Sequence, residues 1–300
     1  VERPKLHLSP ASASWPAALR EIESPPEQLW LRGAVEWLAR GPKVAIVGAR
    51  SPTAYGEAQA RRFAQALAEA GAVVVSGMAR GVDHVAHEAA LDVRGATIAV
   101  LGCGVDRPWP AGPLSERIVR EGLMLSEFEP GAPPLRRNFP LRNRVISGLC
   151  EAVVVIEAAA ASGSLITARW AADQGRTVFA LPGRVDHPMA RGCHRLIREG
   201  ATLVEDPEEV LAELGLRAVT GARSRSYAAG ETTSEETGGG ALERSDFARR
   251  VLRTLQGETL TADEVAERLR ADVAEVLTEL VELELVGDVA RGAGGLYRRT

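Results

Sequence analysis

From Lys43 onward the chain alternates short, unbroken apolar runs with longer segments of helical period. The runs are KVAIVG, AVVVSG, TIAVLG, LMLSEF, AVVVIE and TVFALPG, and between them lie stretches such as GEAQARRFAQALAEAG. Short runs rich in Val and Ile predict strands buried on both faces, with the intervening segments supplying the helices that cover them. The fold class expected is therefore α/β, a doubly wound, mostly parallel sheet. Several runs end in glycine or serine. This puts Gly48, Ser76, Gly77 and Gly102 at carboxyl ends of strands, the rim where open α/β sheets gather their ligands.

The pattern changes after DPEEVLAELGL, which closes a sheet domain over 43–216. The next stretch, ARSRSYAAGETTSEETGGG, has almost no large apolar residue, and residues 217–243 read as a tether. Three short helices then begin near Ser245, Thr261 and Asp272 and lead into LVGDVARGAGGLYRR, two short strands about a glycine turn. Thr261 with Glu264, and Asp272 with Glu275, have capping-box spacing. Residues 244–300 are thus expected to form a small winged-helix-like α+β domain. Residues 1–42, which include WPAALREIESPPEQLWLRG, are expected to pack on the sheet domain as a lead-in.

A net charge of −4 excludes a surface coated in base, so any nucleic-acid contact must be local. The candidate patch is Arg136, Arg137, Arg142 and Arg144, with no acid between Pro130 and Glu151. Cys103, Cys150 and Cys193 form no CxxC pair, which fits a reducing, cytoplasmic setting. No apolar stretch suits a signal peptide or a bilayer span, so no membrane partner is expected.

Three strand-to-helix turns on the expected rim have phosphate-binding character. In VGARSPTAYG, Gly48 and Arg50 stand where a dinucleotide enzyme carries GxGxxG, but the glycine spacing fails and no Walker lysine is present. SGMARGVDHVAH places Gly77 and Arg80 at a helix start, and ASGSLITARWA does the same with Gly163 and Ser164. Turn geometry and capping alone would also call for these residues. The arginine cluster tips the reading. Phe139, between Arg137 and Arg142, pairs a flat apolar face with cations, a combination suited to an unpaired base and its flanking phosphates. Asp83, His84 and His87 lack the further ligands a metal site needs. Cys103 has no partner for nucleophilic work. Asp106 and Glu157 are the acids best placed for chemistry, should there be any.

In order and spacing, VGARSPTAYG, SGMARGVDHVAHEAAL, LGCGVDRPWP, NFPLRNRVISGL, EAAAASGSLITARWAADQGRTVFALPG and GCHRLIREGA resemble the DprA/Smf family of DNA-processing proteins, from about Trp15 to Leu214. The resemblance implies an extended Rossmann-like sheet, single-stranded DNA binding without catalysis or cofactor, and a homodimer. It further implies that the protein loads RecA recombinase onto incoming strands during natural transformation, with single-strand-binding protein as a further partner. Carried over by motif, it implies a DNA pocket of Arg50, Gly77, Arg80, Arg136 and Phe139, beside Arg137. Arg142, Asn143 and Arg144 line or support that pocket, and Gly163 and Ser164 complete its floor. Two other readings stand beside it. One is a LOG-like nucleotide phosphoribohydrolase, weakened because Ala168 and Arg169 stand where its acid belongs; the other is a mononucleotide sensor. The acidic third helix of the tail, DVAEVLTELVELE, is expected to meet protein rather than duplex DNA.

Overall fold

The computed structural model describes residues 5–217, 245–255, 258–292 and 295–299. It divides into two compact units, Val1–Ala222 and Arg223–Thr300. In the first, the six apolar runs are six parallel strands: β3 (Lys43–Val47), β4 (Val73–Ser76), β5 (Thr97–Val100), β6 (Leu123–Ser126), β7 (Ala152–Val155) and β8 (Thr177–Ala180). Their unbroken hydrophobicity follows from two cores. Ala45, Val47, Val75, Val153 and Val155 face one core, while the alternate residues Val44, Ile46, Val74, Ala152 and Val154 face the other.

The opening segment does more than pack on the sheet, because it enters it. β1 (Lys5–Leu8) and β2 (Leu29–Gly33) extend one edge in antiparallel register, with Leu31 opposite Leu125, and β9 (Thr202–Leu203) closes the other. The nine strands run β1-β2-β6-β5-β4-β3-β7-β8-β9. Connections from β3 proceed toward β6. The chain then returns to place β7 on the other flank of β3, so the topological switch falls between β3 and β7.

The covering helices are α1 (Ala54–Glu69), α2 (Val82–Asp92), α3 (Pro113–Glu121), α4 (Asn138–Gly148), α5 (Ser164–Asp173), α6 (Arg191–Arg198) and α7 (Pro207–Glu213). In α1 the buried residues Ala60, Phe63, Ala64 and Leu67 follow the spacing of a single apolar stripe. The expected tether lies, except for Arg217, outside the described residues.

The second unit contains α8 (Asp246–Thr254), β10 (Thr259–Thr261), α9 (Ala262–Leu269), α10 (Val273–Leu285), β11 (Val289–Arg291) and β12 (Leu296–Arg299). Ser245, Thr261 and Asp272 are the caps of its three helices, as their spacing predicts. The strands pair antiparallel in the order β10-β12-β11, adding one strand that the sequence pattern did not reveal. Val251, Leu255, Val265, Val276, Leu280 and Tyr297 form the core of this winged helix. Among the described residues, no helix of either unit is long and apolar enough to cross a membrane.

Candidate functional site

α4 crosses the carboxyl-end rim and ties its turns together. Its Arg142 side chain is 4% exposed. The guanidinium donates from Nη1 to the carbonyl of Gly77 at 2.8 Å and to the carbonyl of Val100, joining the ends of β4 and β5. Gly77 is required by that approach, since a Cβ there would lie 2.7 Å from the guanidinium. One residue beyond Arg142, the Asn143 amide donates to the Gly163 carbonyl at 3.4 Å, reaching the turn after β7. Phe139 rests against Gly102 at the end of β5, where a Cβ would meet its ring at 3.0 Å, and Arg142 Cζ lies 5.8 Å from the ring centroid. The ring is half-buried, so part of it still faces outward. Ser164 is buried, and its hydroxyl pairs with that of Ser162 at 2.7 Å.

Three expectations need correction. Arg144 is no free cation: Nη1 and Nη2 hold both oxygens of Glu127 at 2.6 and 2.7 Å, and Nε donates to the Ser24 carbonyl at 2.8 Å. It braces α4 against the segments around β6 and the lead-in. Arg142, read in the sequence as part of an exposed basic patch, is equally occupied as the internal clamp described above. The third correction concerns the helix starts. At α1 the Glu157 carboxylate accepts from the Thr53 N–H at 2.9 Å and its hydroxyl at 2.6 Å. At α2 the Asp83 carboxylate accepts from the Gly77 and Ala79 amides at 3.1 and 3.3 Å. A protein carboxylate thus sits at each of two turns read as phosphate seats, because a helix start attracts any anion and the chain supplies its own. α4 and α5 carry no acid in their first turns.

The remaining cations are of another kind. Arg50, Arg80, Arg136 and Arg137 are exposed and make no hydrogen bond or ion pair among the described residues. Four of the carboxylates nearby are held by the fold: Glu157 by Thr53, Asp83 by two amides, Glu127 by Arg144, and Asp106 by Lys5 at 3.1 Å, while Glu129 in the loop after β6 is exposed. Acids neutralised internally and guanidiniums left in solvent make the rim locally positive in a chain that is acidic overall. The arrangement can hold a flexible polyanion through side chains and offer one aromatic face to a base.

The acid and metal candidates resolve into structural roles. Asp106 also accepts from the Gly131 N–H at 2.8 Å, pinning the loop after β5. Burial raises the Asp83 carboxyl, with the charge of Arg142 and the amide bonds opposing it. Burial pushes His87 down to about 3, helped by His84 and Arg142. The Thr97 hydroxyl donates to the Val74 carbonyl, so it accepts from His87 Nδ1 at 2.6 Å. Among the described residues, no group of three or more His, Cys, Asp or Glu could hold a metal ion. Burial also raises the Cys103 thiol, against a nucleophilic role.

Sequence reasoning missed the carboxylates at the helix starts. A signal for Glu157 was available: an acid closing the strand next to β3, facing a turn that contains the helix cap Thr53.

Comparison with known proteins shows the family and the fold. The family model described as DNA recombination-mediator protein A matches residues 7–215, and one described as DprA winged helix domain matches residues 236–295. Protein Smf of Escherichia coli (strain K12) is 42% identical, the match covering 99% of this chain and 79% of that protein. The X-ray structure of DNA processing protein A (DprA) from Streptococcus pneumoniae superposes with a TM-score of 0.67 at 44% identity, covering 70% of this chain and 74% of that one. A structure of DNA processing protein A from Helicobacter pylori, described by its single-stranded DNA binding mode, gives 0.64 at 32% identity over 71% and 98%.

Proposed function

Because the chain belongs to the DprA/Smf family, the DNA recombination-mediator A proteins, we propose that its first unit binds single-stranded DNA along the carboxyl-end rim. In this reading Arg50, Arg80, Arg136 and Arg137 neutralise phosphates and Phe139 stacks a base. Gly77, Arg142, Asn143, Gly163 and Ser164 shape the floor, and Arg144 braces α4 from behind. The observation that carries the proposal is the sorting of charge on one rim, with Glu157, Asp83, Glu127 and Asp106 held internally and the guanidiniums of Arg50, Arg80, Arg136 and Arg137 exposed. The Helicobacter pylori relative, whose description names a single-stranded DNA binding mode, supports it. The protein acts without a chemical step or cofactor, as a mediator that protects incoming strands and loads RecA during natural transformation. Its partners are single-stranded DNA, RecA, a second copy of the chain and single-strand-binding protein, in the cytoplasm. The carboxylate of Glu157 at the start of α1 speaks against a mononucleotide phosphate in that seat.

The second unit serves protein contact. On α10, Glu275, Glu282 and Glu284 are exposed and Glu279 partly so, while Val273, Leu277, Val281 and Leu285 lie exposed at four-residue spacing. Acids repel a phosphate groove, and an apolar stripe gains nothing from one.

Equilibrium titration of the full chain with oligo-dT and with a blunt duplex tests the first unit's role. Oligo-dT should bind more tightly, with affinity falling as salt rises. Phe139→Ala should weaken oligo-dT binding by about 1–3 kcal/mol. Equal affinity for the two DNAs, or an unaffected Phe139→Ala variant, would count against the assignment.

A further inference from the structure

The motif LGCGVDRPWP follows β5 on the same rim, and the site as drawn gives its aromatic residue no part. Trp109 is 55% exposed, whereas Trp15 is buried and Trp30, Trp37 and Trp170 are half-buried. Tryptophan is highly buried on average, so an indole left in solvent forgoes stabilisation the fold would otherwise collect. The loop that displays it is held at many points. The Ser126 hydroxyl donates to the Cys103 carbonyl at 2.7 Å, the Gly104 amide donates to Ala132 O at 3.0 Å, and Asp106 is fixed by Gly131 and Lys5. The backbone N–H of Trp109 faces the Cys103 sulfur. Pro108 and Pro110 restrict the backbone on either side of the indole. A flat apolar group on so constrained a backbone loses little freedom when a ligand stacks on it.

Its position is equally specific. Cys103, whose sulfur the Trp109 backbone N–H faces, adjoins Gly102, on which Phe139 rests. Phe139, carried by α4, and Trp109, carried by the loop after β5, thus both belong to the carboxyl end of β5, with exposed Arg107 two residues before Trp109. The strands β7, β3, β4 and β5 are consecutive in the sheet, and their turns carry Gly163, Arg50, Arg80 and Gly102 in that order. This row spans three interstrand spacings, roughly 14 Å, and Trp109 lies past its β5 end.

We propose that Trp109 forms a second nucleobase-stacking subsite, which takes a base beyond the one on Phe139 as the strand leaves the rim. The subsite rests on the reading of the rim as a single-stranded DNA site. Stacking on an indole is indifferent to base identity, because every base has a π-face, so the subsite adds affinity and length dependence without sequence preference.

The test is titration of the full chain with oligo-dT of about 4 to 16 nucleotides, followed by tryptophan fluorescence and by anisotropy of labelled DNA. Wild type, Trp109→Ala, Trp109→Phe and Arg50→Ala are compared. Trp109→Ala should weaken binding of the longer oligonucleotides by about tenfold and leave the shortest little changed. Trp109→Phe should restore most of that affinity while abolishing most of the fluorescence quench. The dependence of affinity on salt should match wild type, since no phosphate contact is lost. Wild-type affinity of Trp109→Ala at every length, beside a weakened Arg50→Ala, overturns the subsite alone. Unchanged binding in both variants overturns the rim reading with it. Should Trp109→Ala fail to fold, an undiminished quench in Trp109→Phe still overturns the subsite.

Discussion

Replacing Arg142 with alanine is expected to destabilise the first unit by about 3–5 kcal/mol, read as a lower midpoint in urea unfolding. The guanidinium is buried, and burial lowers its pKa to about 10, so it remains charged at neutral pH. Its charge lies beside Asp83, which is buried and takes its hydrogen bonds from the Gly77 and Ala79 amides. Alanine would strand that carboxylate without a countercharge, leave the carbonyls of Gly77 and Val100 without this donor, and open a cavity under α4. Removing both charges together, as Asp83→Asn with Arg142→Met, should cost less than the sum of the single changes, with a coupling of about 1–3 kcal/mol. Additive losses would show that the two groups do not act as a unit. The clamp also fixes the turns that carry Gly77 and Gly102, so Arg142→Ala is expected to lose DNA affinity through the shape of the rim rather than through a missing phosphate contact.

The second large effect is a loss of stability in mild acid. The pKa of His87 falls from 6.5 to about 3 in the folded chain, first through burial and then through His84 and Arg142. Below pH 6.5 the unfolded chain takes up a proton that the folded chain refuses, so stability is full above that pH and declines as pH falls. The decline is about 1.4 kcal/mol per pH unit, on the order of 4–5 kcal/mol by pH 3. Asp83 works in the opposite sense: burial raises its carboxyl, so the folded chain accepts that proton first and acid favours the fold through this group. Between pH 6.5 and 5 the His87 contribution amounts to about 2 kcal/mol, with Asp83 opposing it. Urea midpoints across that interval should slope for the wild type and flatten for His87→Gln. Parallel slopes would contradict a neutral, buried His87.

These two groups also mark where sequence stops being sufficient. The sheet was legible because burial on both faces removes the polar alternation, and runs such as AVVVSG and AVVVIE have no other soluble explanation at that length. The three caps of the second unit were legible because Ser245, Thr261 and Asp272 act within a few residues of themselves. Gathering of Gly77, Phe139, Asn143 and Gly163 on one rim followed from topology, which assigns strand ends to one edge. Side-chain fate was a different matter. Four arginines close together in sequence look equivalent, yet Arg136 and Arg137 precede α4 and face solvent while Arg142 and Arg144 turn inward from it. Their partners, Val100 and Glu127, come from strands 17 or more residues away, and no local pattern announces them. Glu157 was weighed only as an acid for chemistry, because a carboxylate that fills a helix start from another segment leaves no trace in the spacing of that helix, and Asp83 was weighed only as a metal ligand although the amides it holds lie within six residues of it. The lead-in strands β1 and β2 were hidden by prolines and turns on either side of short edge pairings.

In the proposed function, single-stranded DNA lies along the carboxyl-end rim of the first unit. Photo-crosslinking of the full chain to oligo-dT carrying 5-iodouracil, followed by mass spectrometry of the adducts, locates the strand directly. Adducts on the peptide that carries Phe139, lost in Phe139→Ala, are the expected result. Adducts confined to the second unit would contradict it.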